Sequence, residues 1–194
     1  MDFMTAKGER NKTAKMTATA LMTATALMTA AACVLGPFSI PVPISPVPIS
    51  LTNLVICFMA YVLGARRGTA ACGLYLLLGA VGMPVFGGFS GGLGTLLGPT
   101  GGYLIGFLFL AAIAGSFIEL FPEKRAAQVF GMILGTAVLY LFGTVWLARQ
   151  LHLGFGAALM AGVIPYLPGD AAKIILAAAV GPKLRKSCRA VLLP

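Results

Sequence analysis

Long apolar runs dominate the chain, and the places where they stop carry most of its information. Six runs approach the roughly 20 residues that a membrane-spanning helix needs, at about 15–36, 51–65, 68–85, 101–121, 127–148 and 169–192. The second is short. Its fifteen residues reach about 22 Å of a hydrocarbon core roughly 30 Å thick, so that helix either starts earlier or stops below the outer surface.

Charge tests this count independently. With the N-terminus inside, Lys7, Arg10, Lys12, Lys15, Arg66, Arg67, Lys124, Arg125, Lys183, Arg185, Lys186 and Arg189 all fall on the cytoplasmic side, as the positive-inside rule requires. Arg149 alone falls in an outer loop, and Lys173 lies within the sixth run. A miscount by one helix would scatter these groups over both faces, so the pattern predicts one all-α membrane domain over 1–194, with six transmembrane helices and both ends cytoplasmic.

Composition agrees. The chain is 59% hydrophobic and 10% charged, with a mean hydropathy of +0.95, whereas soluble domains carry about 25% charged residues. A net charge of +9 without a basic stripe and interleaved aromatics speaks for cytoplasmic loops and contact with the lipid bilayer, not for nucleic acid. The basic start followed by Met16–Leu35 exceeds the apolar core of about 7–15 residues in a signal peptide and reads as a retained helix. Cys33, Cys57, Cys72 and Cys188 form no CxxC pair, and neither a metal site nor a disulfide is expected.

Three unusual segments then share the outer side: GPFSIPVPISPVPIS (36–50), GGFSGGLGTLLGPTGGY (87–103), and the stretch from Arg149 through VIPYLPGDAAK (163–173). Non-helical backbone at membrane depth has to be buried in protein or line a watered cavity, so three such segments on one face predict one ligand cavity walled by irregular loops. The glycine segment has no P-loop lysine, and no strand precedes its glycines as a dinucleotide site requires. With one histidine and five acids, no catalytic set can be assembled, so no catalytic residue and no enzymatic activity are expected.

Chemistry concentrates at Asp170 and Lys173, the only charges in the early part of the sixth run and three residues apart. That spacing puts both on one helix face, and an intramembrane charge costs about 2.5–3.5 kcal/mol even on the lenient scale. Pro165, Pro168 and Gly169 place them at the start of a fresh helix, where transporters build substrate sites; the competing role is a helix cap with a pairing lysine. Asn53 reads equally as a ligand contact or a satisfied buried amide, and Tyr103 as cavity or interfacial. Trp146, Arg149 and His152 read as belt, anchor and loop residues. The repeated MTATAL in the first helix spaces alanines by four at Ala14 and Ala18, Ala20 and Ala24, Ala26 and Ala30, a pattern for close helix approach to a partner or within the bundle.

PVPISLTNL (46–54), LGARRGTAACGLYLLLGAVGMPVFGGFSGGLGTLLGPTGGYLIGF (63–107) and PYLPGDAAK (165–173) closely resemble the BioY family, biotin-binding S components of energy-coupling factor (ECF) transporters. The resemblance implies a vitamin-capturing subunit of the bacterial cytoplasmic membrane with an extracytoplasmic pocket. Asp170 and Lys173 match the family's acid and lysine; Asn53, Tyr103, Ser90, Gly91, Gly92 and Thr100 are the further candidate contacts. Which polar end of biotin meets which charge stays open. Many members begin the second helix with Leu-Gln-Thr where this chain has Leu51, Thr52 and Asn53, a step that rotates the amide by about 100°. The family also implies that the small residues of the first helix dock on a transmembrane coupling subunit driven by two ATPase subunits. No cofactor is expected, since ATP is consumed only by those partners. A self-sufficient small-solute transporter and a non-transporting membrane assembly protein are the alternatives.

Overall fold

A computed structural model describes the backbone of residues 2–42 and 45–192 and the side chains of 18–40 and 47–188. Helix α1 (Asp2–Leu35) leads through Gly36 into an antiparallel ribbon of β1 (Ser39–Val42) and β2 (Ser45–Ser50). Then follow α2 (Thr52–Ala80), the short α3 (Leu93–Leu97), α4 (Gly101–Leu120), α5 (Arg125–Gln150), α6 (Phe155–Gly162), a 3-10 turn at Ile164–Tyr166 and α7 (Leu167–Leu192).

Helix α2 is two arms, 52–63 and 65–80, joined at Gly64, whose φ of 75° and ψ of −170° leave the helical region. In one straight helix Met59 and Gly68 would stand about 13 Å apart along the axis. Instead a Cβ at Gly68 would lie 3.4 Å from the Met59 carbonyl oxygen, so the chain doubles back. Among the described residues, five helical stretches are long and apolar enough to cross a membrane, Thr52–Ala80 being one of them. Because that one folds on itself, the chain makes six passes as a multi-pass membrane protein. The first arm starts no earlier than Thr52, so the short second span stops below the outer surface, and the β-ribbon stands above it.

Three details differ from the sequence expectation. The second arm ends at Ala80 and not near 85, because Gly82 at φ 109° and Pro84 cannot continue it. The proline segment is not irregular but a β-ribbon, pairing Ser39 with Ser50 and Ile40 with Ile49 before the register slips between Ile40 and Val42. That slip absorbs the stretch around Pro46 and Pro48, in keeping with the confinement of proline to bulges and edges. The outer stretch between α5 and α7 likewise contains a real helix, α6.

Helix α4 is the central element and packs most extensively on α5 and on α2, while α1 leans on α2, and α7 packs on α2 with thin contact to α5. Close approach of α4 and α5 comes from glycines set against large side chains. A Cβ at Gly106 would meet Leu139 Cγ at 3.1 Å, and one at Gly135 would meet Leu110 Cδ1 at 2.9 Å. Without a hydrophobic force between helices in lipid, such small-on-large contacts supply the association.

On α1, Ala24, Met28 and Ala32 face the bundle, and the Thr29 hydroxyl donates to the Ala71 carbonyl at 3.2 Å. The alanines therefore divide between two faces. Ala20 and Ala24 are half-buried on the inner side, whereas Ala18, Ala26 and Ala30 are exposed in one stripe with Met22 and Val34. The side chain of Ala14 lies outside the described residues.

One end of the bundle gathers the basic groups. Arg66 and Arg67 follow the Gly64 reversal, Arg185 donates to the Ile118 carbonyl at 2.7 Å, and Tyr61 donates to Gln128 Oε1 at 3.2 Å beside Lys124 and Arg125. All three outer segments lie at the opposite end. The reversal itself is testable. A Cβ at Gly64 would collide with the Glu119 carboxylate, and a non-glycine residue in such a backbone region costs about 1–3 kcal/mol. Gly64→Val should therefore lower the thermal unfolding midpoint in detergent far more than Gly73→Val, whose Cβ meets nothing nearer than 4.0 Å. Equal midpoints for the two variants would contradict the hairpin.

Candidate functional site

The site begins with the start of α7. Proline and glycine around 165–169 break the chain after the 3-10 turn, so Asp170 sits in the first turn of a new helix. Asp170 is 7% exposed, too buried for an unpaired carboxylate. Both its oxygens are engaged: Lys173 Nζ donates to Oδ1 at 2.7 Å, one helical turn on, and the Tyr140 hydroxyl donates to Oδ2 from α5. The carboxylate is held by side chains and is not spent on capping its own helix.

Around this cluster stand Asn53 from the first arm of α2, Tyr103 from α4, Tyr166 from the 3-10 turn and Val47–Ser50 from the ribbon, together lining a small space of about 60 Å³. The Tyr166 hydroxyl donates to the Val47 carbonyl, tying the ribbon down over the site. Two buried atoms face this space without a hydrogen-bond partner: Asn53 Oδ1 and the Tyr103 hydroxyl, which has Thr144 as a neighbour outside bonding geometry. Unmet groups of this kind are rare in native interiors and commonly await a ligand or water. Tyr103 is fixed because α5 and α6 present Gly143 and Gly162, where any Cβ would strike its ring or hydroxyl.

A second space of about 430 Å³ adjoins the first. Val47, Pro48, Ser50, Tyr103 and Phe107 line both, so the two are lobes of one cavity. The larger lobe adds the apolar walls Phe86 and Leu104, with Ser90, Gly94, Thr95, Gly98 and Thr100 from the glycine segment. At this size it falls within the roughly 300–1,000 Å³ of small-molecule sites. All three outer segments thus converge on one cavity, as their shared face led us to expect.

The glycine segment is more firmly held than its composition suggests. Gly88 N–H donates to the Pro37 carbonyl at 3.0 Å and Gly92 N–H to the Gly79 carbonyl at 2.7 Å. Trp146 Nε1 reaches the Gly98 carbonyl at 2.9 Å, and Gln150 Nε2 the Leu97 carbonyl at 2.9 Å. Trp146 therefore anchors the rim, and the exposed Arg149 and His152 lie away from the cavity.

Of the sequence candidates, the structure brings Asp170, Lys173, Asn53 and Tyr103 together in the smaller lobe, and places Ser90 and Thr100, again with Tyr103, in the larger. Gly91 and Gly92 line neither lobe. Gly91 is pressed against the Met83 backbone, where a Cβ would not fit, and Gly92 sits at φ 88° at the start of α3. Both are glycines for chain path. Tyr140 and Tyr166 were not foreseen. A tyrosine inside an apolar run gives no sign of its partner, although Tyr166 stands within the PYLPGD stretch.

Tyr140 and Asp170 also border an apolar cleft of about 410 Å³ between α5 and α7, with the unpartnered Thr136 hydroxyl on its wall. One layer of side chains thus separates the smaller lobe from the outside of the bundle, and the Tyr140–Asp170 bond is part of that layer. A hydrogen bond to a charged group contributes about 1.5–3 kcal/mol, while a buried hydroxyl without a partner contributes none. Tyr140→Phe is therefore expected to destabilise the folded protein by about that amount in chemical denaturation, and Thr136→Val to leave stability unchanged or raised. The reverse order would remove Tyr140 from the support of Asp170.

Comparison with known proteins bears on the family and the fold. A family model described as the BioY family matches residues 7–190. A protein of Thermotoga maritima named biotin transporter BioY is 37% identical over 147 residues, covering 76% of this chain and 86% of the relative. A biotin transporter BioY of Rhizobium etli is 38% identical over 144 residues, 70% of this chain and 76% of the relative. A crystal structure described as the S component for biotin from an ECF-type ABC transporter superposes with a TM-score of 0.80 at 32% identity, over 91% of this chain and 93% of the other.

Proposed function

The chain belongs to the BioY family, and from that premise we propose that it captures biotin on the outer side of the membrane as the substrate-binding subunit of an ECF-type transporter. The observation that carries this reading is the Asp170–Lys173 ion pair in the smaller lobe of a two-lobed cavity walled by three outer segments. Biotin's ureido group supplies donors and an acceptor for such a cluster, and its thiophane ring and alkyl chain suit Phe86, Leu104 and Phe107. In this reading Asp170, Lys173, Asn53 and Tyr103 contact the polar part of the ligand, while Ser90 and Thr100 contact the remainder. The chain has no catalytic role of its own; ATP hydrolysis falls to partner subunits.

Partner docking on α1 is supported by the exposed stripe Ala18, Met22, Ala26, Ala30 and Val34, which leaves room for another helix to approach. Ala20 and Ala24 serve the bundle instead.

Equilibrium binding of labelled biotin to the purified protein tests the first half of the proposal, and absence of saturable binding would end it. Breaking a buried ion pair costs about 3–5 kcal/mol of folded stability, so the folded fraction is measured beside the affinity. Lys173→Ala and Asp170→Asn should each weaken biotin by at least a hundredfold, with the folded fraction checked by size-exclusion elution. The docking half separates cleanly: Ala26→Leu with Ala30→Leu should keep biotin affinity within about twofold and lower cellular uptake at least tenfold. Uptake at the original rate would show that this stripe meets only lipid.

A further inference from the structure

The two lobes of the cavity differ in charge as well as in size. Around the smaller stand Asp170 and Lys173, paired at 2.7 Å, with Asn53 Oδ1 unpartnered beside them. Among the described residues the lining of the larger lobe has no charge; its polar side chains are the hydroxyls of Ser50, Thr52, Ser90, Thr95, Thr100 and Tyr103.

Biotin has a neutral cyclic urea at one end and a carboxylate at the other. A carboxylate brought to Lys173 would stand beside the Asp170 carboxylate that already holds that ammonium, and two like charges in a buried site oppose one another strongly. A urea meets no such opposition. Its N–H groups suit Asn53 Oδ1 and the free lone pairs of Asp170, and its carbonyl suits the remaining donors of Lys173. The carboxylate then lies in the uncharged lobe. There the N-terminus of α4, immediately after Thr100, offers only a fractional positive charge, worth about a two- to fivefold preference for an anion over a neutral group.

Resting on the biotin reading above, we propose that this protein selects its ligand by the urea head and not by the free acid, so that carboxyl-modified biotins, namely small neutral amides and esters, are ligands as well. The larger lobe, about 430 Å³ with glycine-rich walls at Gly94 and Gly98, has space for the added group.

Displacement of labelled biotin from the purified protein by biotinamide, biotin methyl ester and 2-iminobiotin tests this. The amide and the ester should compete within about tenfold of biotin, whereas 2-iminobiotin, which exchanges the urea carbonyl for a protonated guanidinium-like group facing Lys173, should be at least a hundredfold weaker. Lys173→Met should weaken biotin and biotinamide by the same factor within about threefold, because both present the same head. A hundredfold loss for amide and ester in the native protein, or a Lys173→Met effect confined to biotin, would overturn the inference while leaving biotin capture intact. Failure of biotin itself to bind would bring down the reading of the site and this inference together.

Discussion

The burial of one carboxylate governs the outer half of this molecule. Asp170 lies within the apolar part of the chain at 7% exposure, where an unpaired charge would cost several kcal/mol or more. Three elements combine to hold it: α7 supplies Lys173 one turn on, α5 supplies Tyr140, and the ribbon closes over the cluster through Tyr166 and Val47. The ion pair is local to α7, but the other two contacts each join separate elements. The site therefore exists only when α5, α7 and the ribbon are assembled, which couples its geometry to the fold. The α5–α7 contact is otherwise thin, so much of what joins these two helices at this level is the Tyr140–Asp170 bond itself.

The ribbon shows how irregular chain survives beside lipid. A two-stranded sheet leaves two edges of unpaired backbone groups, a liability in any solvent and most of all in hydrocarbon. Pro46 and Pro48 have no N–H to leave unpaired, and the Val47 carbonyl between them is taken by Tyr166. The proline pattern that reads as a break in the sequence thus limits the edge's unmet donors, and the same few residues wall both lobes of the cavity. Glycines play a complementary part. Gly143 and Gly162 make room for Tyr103, so a large side chain enters the cavity wall without pushing α4 away from α5 and α6.

How much of this was legible in the sequence depends on whether the signal was local. The six passes were, because apolar length and the placement of basic residues each report them, and Arg66 and Arg67 marked the α2 reversal within two or three residues of Gly64. Asp170 and Lys173 were legible because charge in an apolar run is costly enough to need a reason. The ribbon was not, since prolines at 41, 43, 46 and 48 hide the alternation of a strand behind a residue that strands usually avoid. Tyr140 was not, because its role is set by a carboxylate thirty residues later and across a helix interface. Gly91 and Gly92, read from the sequence as candidate contacts, line neither lobe, and the backbone there is held by hydrogen bonds at Gly88, Gly92, Leu97 and Gly98.

The short first arm of α2 connects these observations. At about 18 Å for 52–63 it cannot cross the whole hydrocarbon core, and the space it leaves at its outer end is where the ribbon and the larger lobe lie, with Thr52 on the lobe wall. Asn53, at the top of that arm, reaches the smaller lobe because the arm ends there and goes no further. A full-length helix would carry the backbone past this level and fill the vestibule. In the proposed reading a polar ligand meets the buried ion pair from the outer side without first entering lipid, and the length deficit that looked like a weak span leaves the charged end of α7 approachable.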